Sequence, residues 1–250
     1  MRVRGGSRLG LLAVALLLAG CGAVADVSET DVSVTAAPQH SSSAPGATPS
    51  AASGAAGSCP IGELVAGKDV VAAGLVSDAR GEYCAVSPSP DSAAMLLDDS
   101  VVVSDSLEKW GFTREDALEA QRRTVTFVVE EALDSALLDT SDEGAFARWQ
   151  AAAPYRFVDF APPEDLLLQG LPALARDGGP RSAQTQIEVV RVEGQGGKAG
   201  PTSILVRVEA LSRFRPADGR AEIPVTTRFA LAFDAAGGIV GISYGYSSAE

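Results

Sequence analysis

Ile204-Leu205-Val206-Arg207-Val208-Glu209-Ala210-Leu211 alternates without a break. Ile204, Val206, Val208 and Ala210 fall on one face, and Leu205, Arg207, Glu209 and Leu211 on the other. A period of two is that of a β-strand with one face buried. The pattern returns in Val225, Thr227, Phe229, Leu231 and Phe233, set against Thr226, Arg228, Ala230 and Ala232. It returns again in Val240, Ile242, Tyr244 and Tyr246, and residues 185–192 read as a further strand. Turn-forming stretches at 194–201, 216–219 and 235–238 separate these runs. Consecutive hairpins of this kind predict a four-stranded antiparallel meander.

Before the strands the period is helical. Thr113 with Asp116 forms a capping box at the start of a helix predicted over 114–139, and Leu118, Val125, Val128, Val129, Ala132, Leu133, Ala136 and Leu137 make its apolar stripe. A second helix opens at the Thr140-x-x-Glu143 box, carries Phe146 and Trp149 on one side, and stops at Pro154. A third, short helix is predicted over 163–175. Residues 59–106 are less regular; 70–76 read as a short helix or strand. Helices first and strands after define an α+β domain with the helices on one face of the sheet.

The element order over 114–246, with Trp149 and Pro154-Tyr155 closing the second helix before a curved sheet, resembles the nuclear transport factor two-like fold, in which a bent sheet wraps a long helix into a cone. That resemblance implies an aspartate base and a tyrosine at the cone mouth in the enzymes of the fold, which points to Asp159 or Asp165 with Tyr155. Against it stands the abundance of surface carboxylates in an acidic protein, so the expected state of these residues is solvated. Phe146, Trp149, Phe229 and Phe233 are the side chains expected to line a hollow cone, should it be hollow. The acidic pairs Asp98-Asp99 and Glu130-Glu131 lack the alternating ligand positions of a calcium loop and are expected to be solvated.

The N-terminus sets location. Arg2, Arg4 and Arg8 precede an uncharged run of twelve residues, 9–20, shorter than the roughly 20 that span a bilayer. Leu18-Ala19-Gly20-Cys21 resembles the lipobox of bacterial lipoproteins, which implies cleavage before Cys21, a diacylglyceryl group on its sulfur and further acylation of the new amino end. Residues 1–20 are then the signal peptide and 21–57 a lipid-anchored tether at the outer face of the cell membrane. The tether has no Leu, Ile or aromatic residue and cannot bury enough surface to order itself. As a coil it would reach about 30–35 Å root-mean-square. Residues 58–250 remain as one extracytoplasmic domain. The chain also resembles envelope accessory lipoproteins of actinobacteria, and its arginine-rich, lysine-poor composition agrees with a high-GC genome.

Charge and residue types exclude several functions. The whole chain carries 20 basic and 32 acidic residues, a net charge of −12; without the three signal arginines it is 17 against 32, or −15. That sign repels nucleic-acid phosphates, so no nucleic acid is expected as a partner. The only histidine, His40, lies in the tether, which removes histidine-dependent triads and zinc sites from the domain. Once Cys21 is assigned to lipid, Cys59 and Cys84 remain as an even pair in an oxidising compartment and read as a structural disulfide, with free thiols or a redox pair as alternatives. No metal and no cofactor is expected. The expected role is non-catalytic: binding an envelope protein or a small apolar ligand, with an aspartate-based isomerase or dehydratase and a structural subunit of a lipid-transport complex as alternatives.

Overall fold

The computed structural model describes residues 59, 69–78, 80–139, 144–159, 174–197 and 200–248. Strand β1 (Val70–Asp78) and β2 (Gly81–Pro88) form an antiparallel hairpin of their own. Then come β3 (Val102–Val103), α1 (Ser104–Trp110), α2 (Arg114–Thr126), a π-helical turn Phe127–Leu133 and α3 (Ala145–Ala152). The long strands β4 (Ser182–Gly197), β5 (Gly200–Phe214), β6 (Ile223–Phe233) and β7 (Ile239–Ser248) close the domain.

The architecture is α+β. The main sheet has five strands in the order β3-β4-β5-β6-β7, and it is mixed. The expected four-stranded meander is corrected by β3, which joins the sheet parallel to β4 through Val102↔Val192 and Val103↔Glu193. Two residues carry no readable alternation. Their pairing comes from tertiary placement, with Val192 N–H donating to the Val101 carbonyl at 2.9 Å. The hairpin-linked part is antiparallel throughout, from β4 through β7.

The helix predicted over 114–139 is shorter. Thr113 caps α2 as expected, its hydroxyl accepting from Asp116 N–H while the Asp116 carboxylate accepts from Thr113 N–H. Regular α-helix ends at Thr126, and Asp134 N–H then donates five residues back to Val129. Phe127, Val128 and Val129 are consecutive and all fully buried. The segment packs between the sheet on one side and the β1–β2 hairpin on the other, so neighbouring side chains on different sides of it are buried. The 140–143 box and residues 163–173 of the third predicted helix lie outside the described residues. Leu174 bridges Pro216, and Ala175 N–H donates to the Arg215 carbonyl, so both are extended rather than helical.

The turn expected at 194–201 is shorter, since 194–197 belong to β4 and 200–201 to β5. A Cβ at Gly194 would stand 2.5 Å from the Ser106 carbonyl oxygen, and one at Gly196 would stand 2.5 Å from the Trp110 ring. These two glycines let α1 lie directly on β4.

The core fills the space between the helical layer and the inner face of the sheet. Val206, Val208, Val225, Phe229, Leu231 and Phe233 meet Val125, Phe127, Val128 and Val129 there. The Cys59–Cys84 disulfide, with Cα atoms 5.5 Å apart, joins Cys59 to β2, and the β1–β2 hairpin is tied to the rest of the domain by Cys84 N–H to the Gly179 carbonyl at 3.1 Å and by Val86 N–H to the Asp134 carboxylate at 3.0 Å.

Candidate functional site

The two faces of the sheet place the predicted residues very differently. On the inner face, Phe127 meets Tyr155 edge-on at 5.1 Å and Phe229 at 5.9 Å, and Phe229 contacts Tyr244 and Tyr246 at 6.3 and 5.9 Å. Phe146 and Trp149 form a separate group on α3, 5.3 Å apart, with Phe157 6.2 Å from Trp149. Phe233 lies under the Arg123 guanidinium at 5.2 Å. The four candidate pocket residues are thus distributed over three neighbourhoods, and Phe229 is enclosed by other rings.

Of the candidate proton-transfer residues, Tyr155 is buried and Asp159 is exposed, while Asp165 lies outside the described residues. Asp159 has φ 61°, a left-handed backbone that aspartate tolerates in turns. The carboxylate near Tyr155 is Glu131, which the sequence placed in solvent. The π turn carries it to α3, where Trp149 Nε1 donates to it at 2.5 Å. Burial pushes its carboxyl above the usual range, against the indole hydrogen bond that lowers it. Burial, then the charges of Glu131 and Glu130, likewise raise the Tyr155 hydroxyl. Nothing in the local sequence separates Glu131 from exposed Glu130.

A second buried group was not legible at all. Arg181, 1% exposed, ion-pairs with Asp134 at 3.1 Å and also donates to its backbone carbonyl. The guanidiniums of Arg181 and Arg176 lie 3.9 and 4.3 Å from the Tyr83 ring centre. Burial raises the Asp134 carboxyl to about 6, opposed by Arg181 and the Val86 N–H. This cluster joins the hairpin, the end of the π turn and the chain before β4, a structural placement.

The outer face carries the open site. Between β5, β6 and β7 runs a trough of about 720 Å³. Its floor is short side chains and bare backbone: Ala230, Ala232, Gly241, Ser243 and Gly245. Leu205 and Val190 add apolar surface, and Arg207, Glu209 and Arg228 form the rim. Arg228 Nε donates to Glu209 at 2.9 Å, Arg191 Nε donates to Glu193 at 2.7 Å, and Arg207 approaches Glu193 only at 3.8 Å. Arg207, Glu209, Arg213 and Arg228 share this face, as the alternation predicted. A smaller hollow of about 430 Å³ sits at the start of α2, lined by Trp110, Phe112, Glu119 and Arg123. Arg123 there donates to the Gly237 carbonyl at 2.6 Å, and Asp116 is engaged in the helix cap.

Among the described residues no group of three or more His, Cys, Asp or Glu side chains is placed to hold a metal ion, and no helix is long and apolar enough to cross a membrane. Asp98 instead accepts from Ser100 N–H at 2.8 Å, and Asp99 pairs with Arg114. No protein-family model, curated protein or solved structure matches the chain.

Proposed function

We propose that this chain is a bacterial lipoprotein, anchored through Cys21 at the extracytoplasmic face of the cell membrane, whose domain binds a protein partner of the envelope without catalysing a reaction. The observation that carries the binding reading is the contrast at Phe229: rings enclose it on the inner face, while the outer face directly behind it holds an open trough. Filled interiors leave little room for a small ligand, and an uncovered concave face with polar edges suits a macromolecular surface. The element order α2, π turn, α3, then β4 to β7 supports a nuclear transport factor two-like cone as the finer description. The enzyme reading has one observation in its favour, the raised Glu131 carboxyl beside Tyr155.

Two experiments test this. Replacing Cys21 by Ser should move the protein out of the membrane fraction, and retention there refutes the anchor. Native mass spectrometry after exposure to a lipid and metabolite extract of the host should return the bare protein mass. A defined adduct would overturn the protein-partner reading in favour of a small ligand.

A further inference from the structure

The rim of the trough has spare positive charge on a strongly acidic chain. The outer face of β4–β6 presents Arg191, Arg207, Arg213 and Arg228 against Glu188, Glu193 and Glu209, while the chain as a whole is at −12. Four arginines face three glutamates, and two of the glutamates are already used: Glu209 by Arg228 and Glu193 by Arg191. Glu188 is exposed and makes no ion pair among the described residues. Arg207 is half exposed, and among the described residues its only ion contact is the long one to Glu193. Arg213 is exposed and makes no ion pair among the described residues. Both arginines point outward from β5, six residues or about 20 Å apart along the strand.

Apolar surface accompanies the charge. Val190 is 49% and Leu211 43% exposed on the same face. Leu211 stands between Arg207 and Arg213 along β5, and the small-residue floor of β6 and β7 lies beside Arg207. At Gly245 a Cβ would meet nothing within 4 Å, so a chain laid in the trough could come close to the backbone.

We propose that the occupant of this face is an extended acidic segment of the partner protein, with an apolar side chain seated in the trough and carboxylates on Arg207 and Arg213. This rests on the protein-partner reading above and names the chemistry of the partner. Guanidinium–carboxylate pairs are charge-assisted and geometrically specific. The chain's net charge of −12 repels such a segment in general, and the arginines of this face oppose that repulsion locally.

The test is fluorescence anisotropy on the full chain in detergent, with three short extended peptides: alternating Glu and Val, alternating Lys and Val, and alternating Ser and Val. The Glu–Val peptide should bind at least about tenfold more tightly than the other two, and more weakly as salt screens the pairs. Arg207→Glu and Arg213→Glu should each lower its affinity about tenfold, a size usual for a charge-assisted contact. Gly245→Phe, which fills the trough from its open floor, should abolish binding with the melting temperature retained; Ser243→Phe, at an exposed position, provides a second blocking variant. Equal binding of all three peptides, no binding of the Glu–Val peptide, or unchanged binding in both blocking variants overturns the proposal. So does binding of phosphatidylglycerol vesicles that the same substitutions abolish while no peptide binds. A ligand adduct in native mass spectrometry sinks the underlying reading, whereas charge-independent peptide binding sinks only this inference.

Discussion

The two faces of the main sheet are built from the same strands and opposite rules. On the inner face every alternate side chain of β6, from Val225 to Phe233, is buried against the helical layer, and the arginine buried elsewhere in the domain, Arg181 just before β4, is sealed with its carboxylate. On the outer face the arginines lie in water, their pairs are 48–64% exposed on the guanidinium side, and a trough takes the place of a packing layer. One period-two pattern therefore produced a packed face and an uncovered one. Burial decides what a charge requires: sealed, as at Arg181, it must be matched; on the uncovered strand face it stays in water.

The largest expected difference is between the buried and the exposed ion pairs. Arg181→Ala leaves the Asp134 carboxylate buried without its guanidinium and removes a cation from Tyr83, and should cost about 3–5 kcal/mol in chemical denaturation. Arg228→Ala, which breaks an exposed pair with Glu209, should cost under about 1 kcal/mol. Equal costs would erase the distinction drawn here. Next in size is the disulfide. The pair Cys59–Cys84 closes a separation of 25 residues, and its removal should lower stability by about 3 kcal/mol in the chain-entropy view; unchanged melting under reductant would count against that.

Glycine substitutions give a sharper contrast at lower cost. Gly196→Ala drives a Cβ into the Trp110 ring and should destabilise, whereas Gly245→Ala meets open space on the outer face and should be neutral or slightly stabilising. Thermal melting of the two variants separates them. The last contrast is the pH dependence of Asp134. Its carboxyl is about 6 in the fold against 3.8 in the open chain, so the folded state holds the proton more tightly. Its contribution to stability is then fullest below about pH 4 and is lost as pH rises through 6. Asp134→Asn should flatten that part of the stability–pH curve, read by denaturation at several pH values.

Much of the sheet was legible because β5 and β6 are half-buried, and a half-buried strand writes its burial into alternation. The α2 cap was legible for a similar reason, since Thr113 and Asp116 satisfy each other locally. The disulfide followed from cysteine parity. What escaped depends on contacts distant in sequence. Val102 and Val103 become a strand only because β4 passes beside them. Glu131 meets Trp149 only after the wide turn, and Arg181 finds Asp134 across 47 residues. The outer-face arginines were placed on the right face by alternation, but the trough beside them was not foreseen, because small residues at 230, 232, 241 and 245 look unremarkable until three strands align them.

The most direct test of the contrast is photo-cross-linking in intact cells, with a photoreactive residue at exposed Leu211 on the outer face or at exposed Glu115 on α2. A discrete protein adduct is expected from position 211 that disappears with Arg207→Glu, and none from position 115. An adduct from position 115 with none from position 211 would place the working surface on the helical side and contradict the contrast.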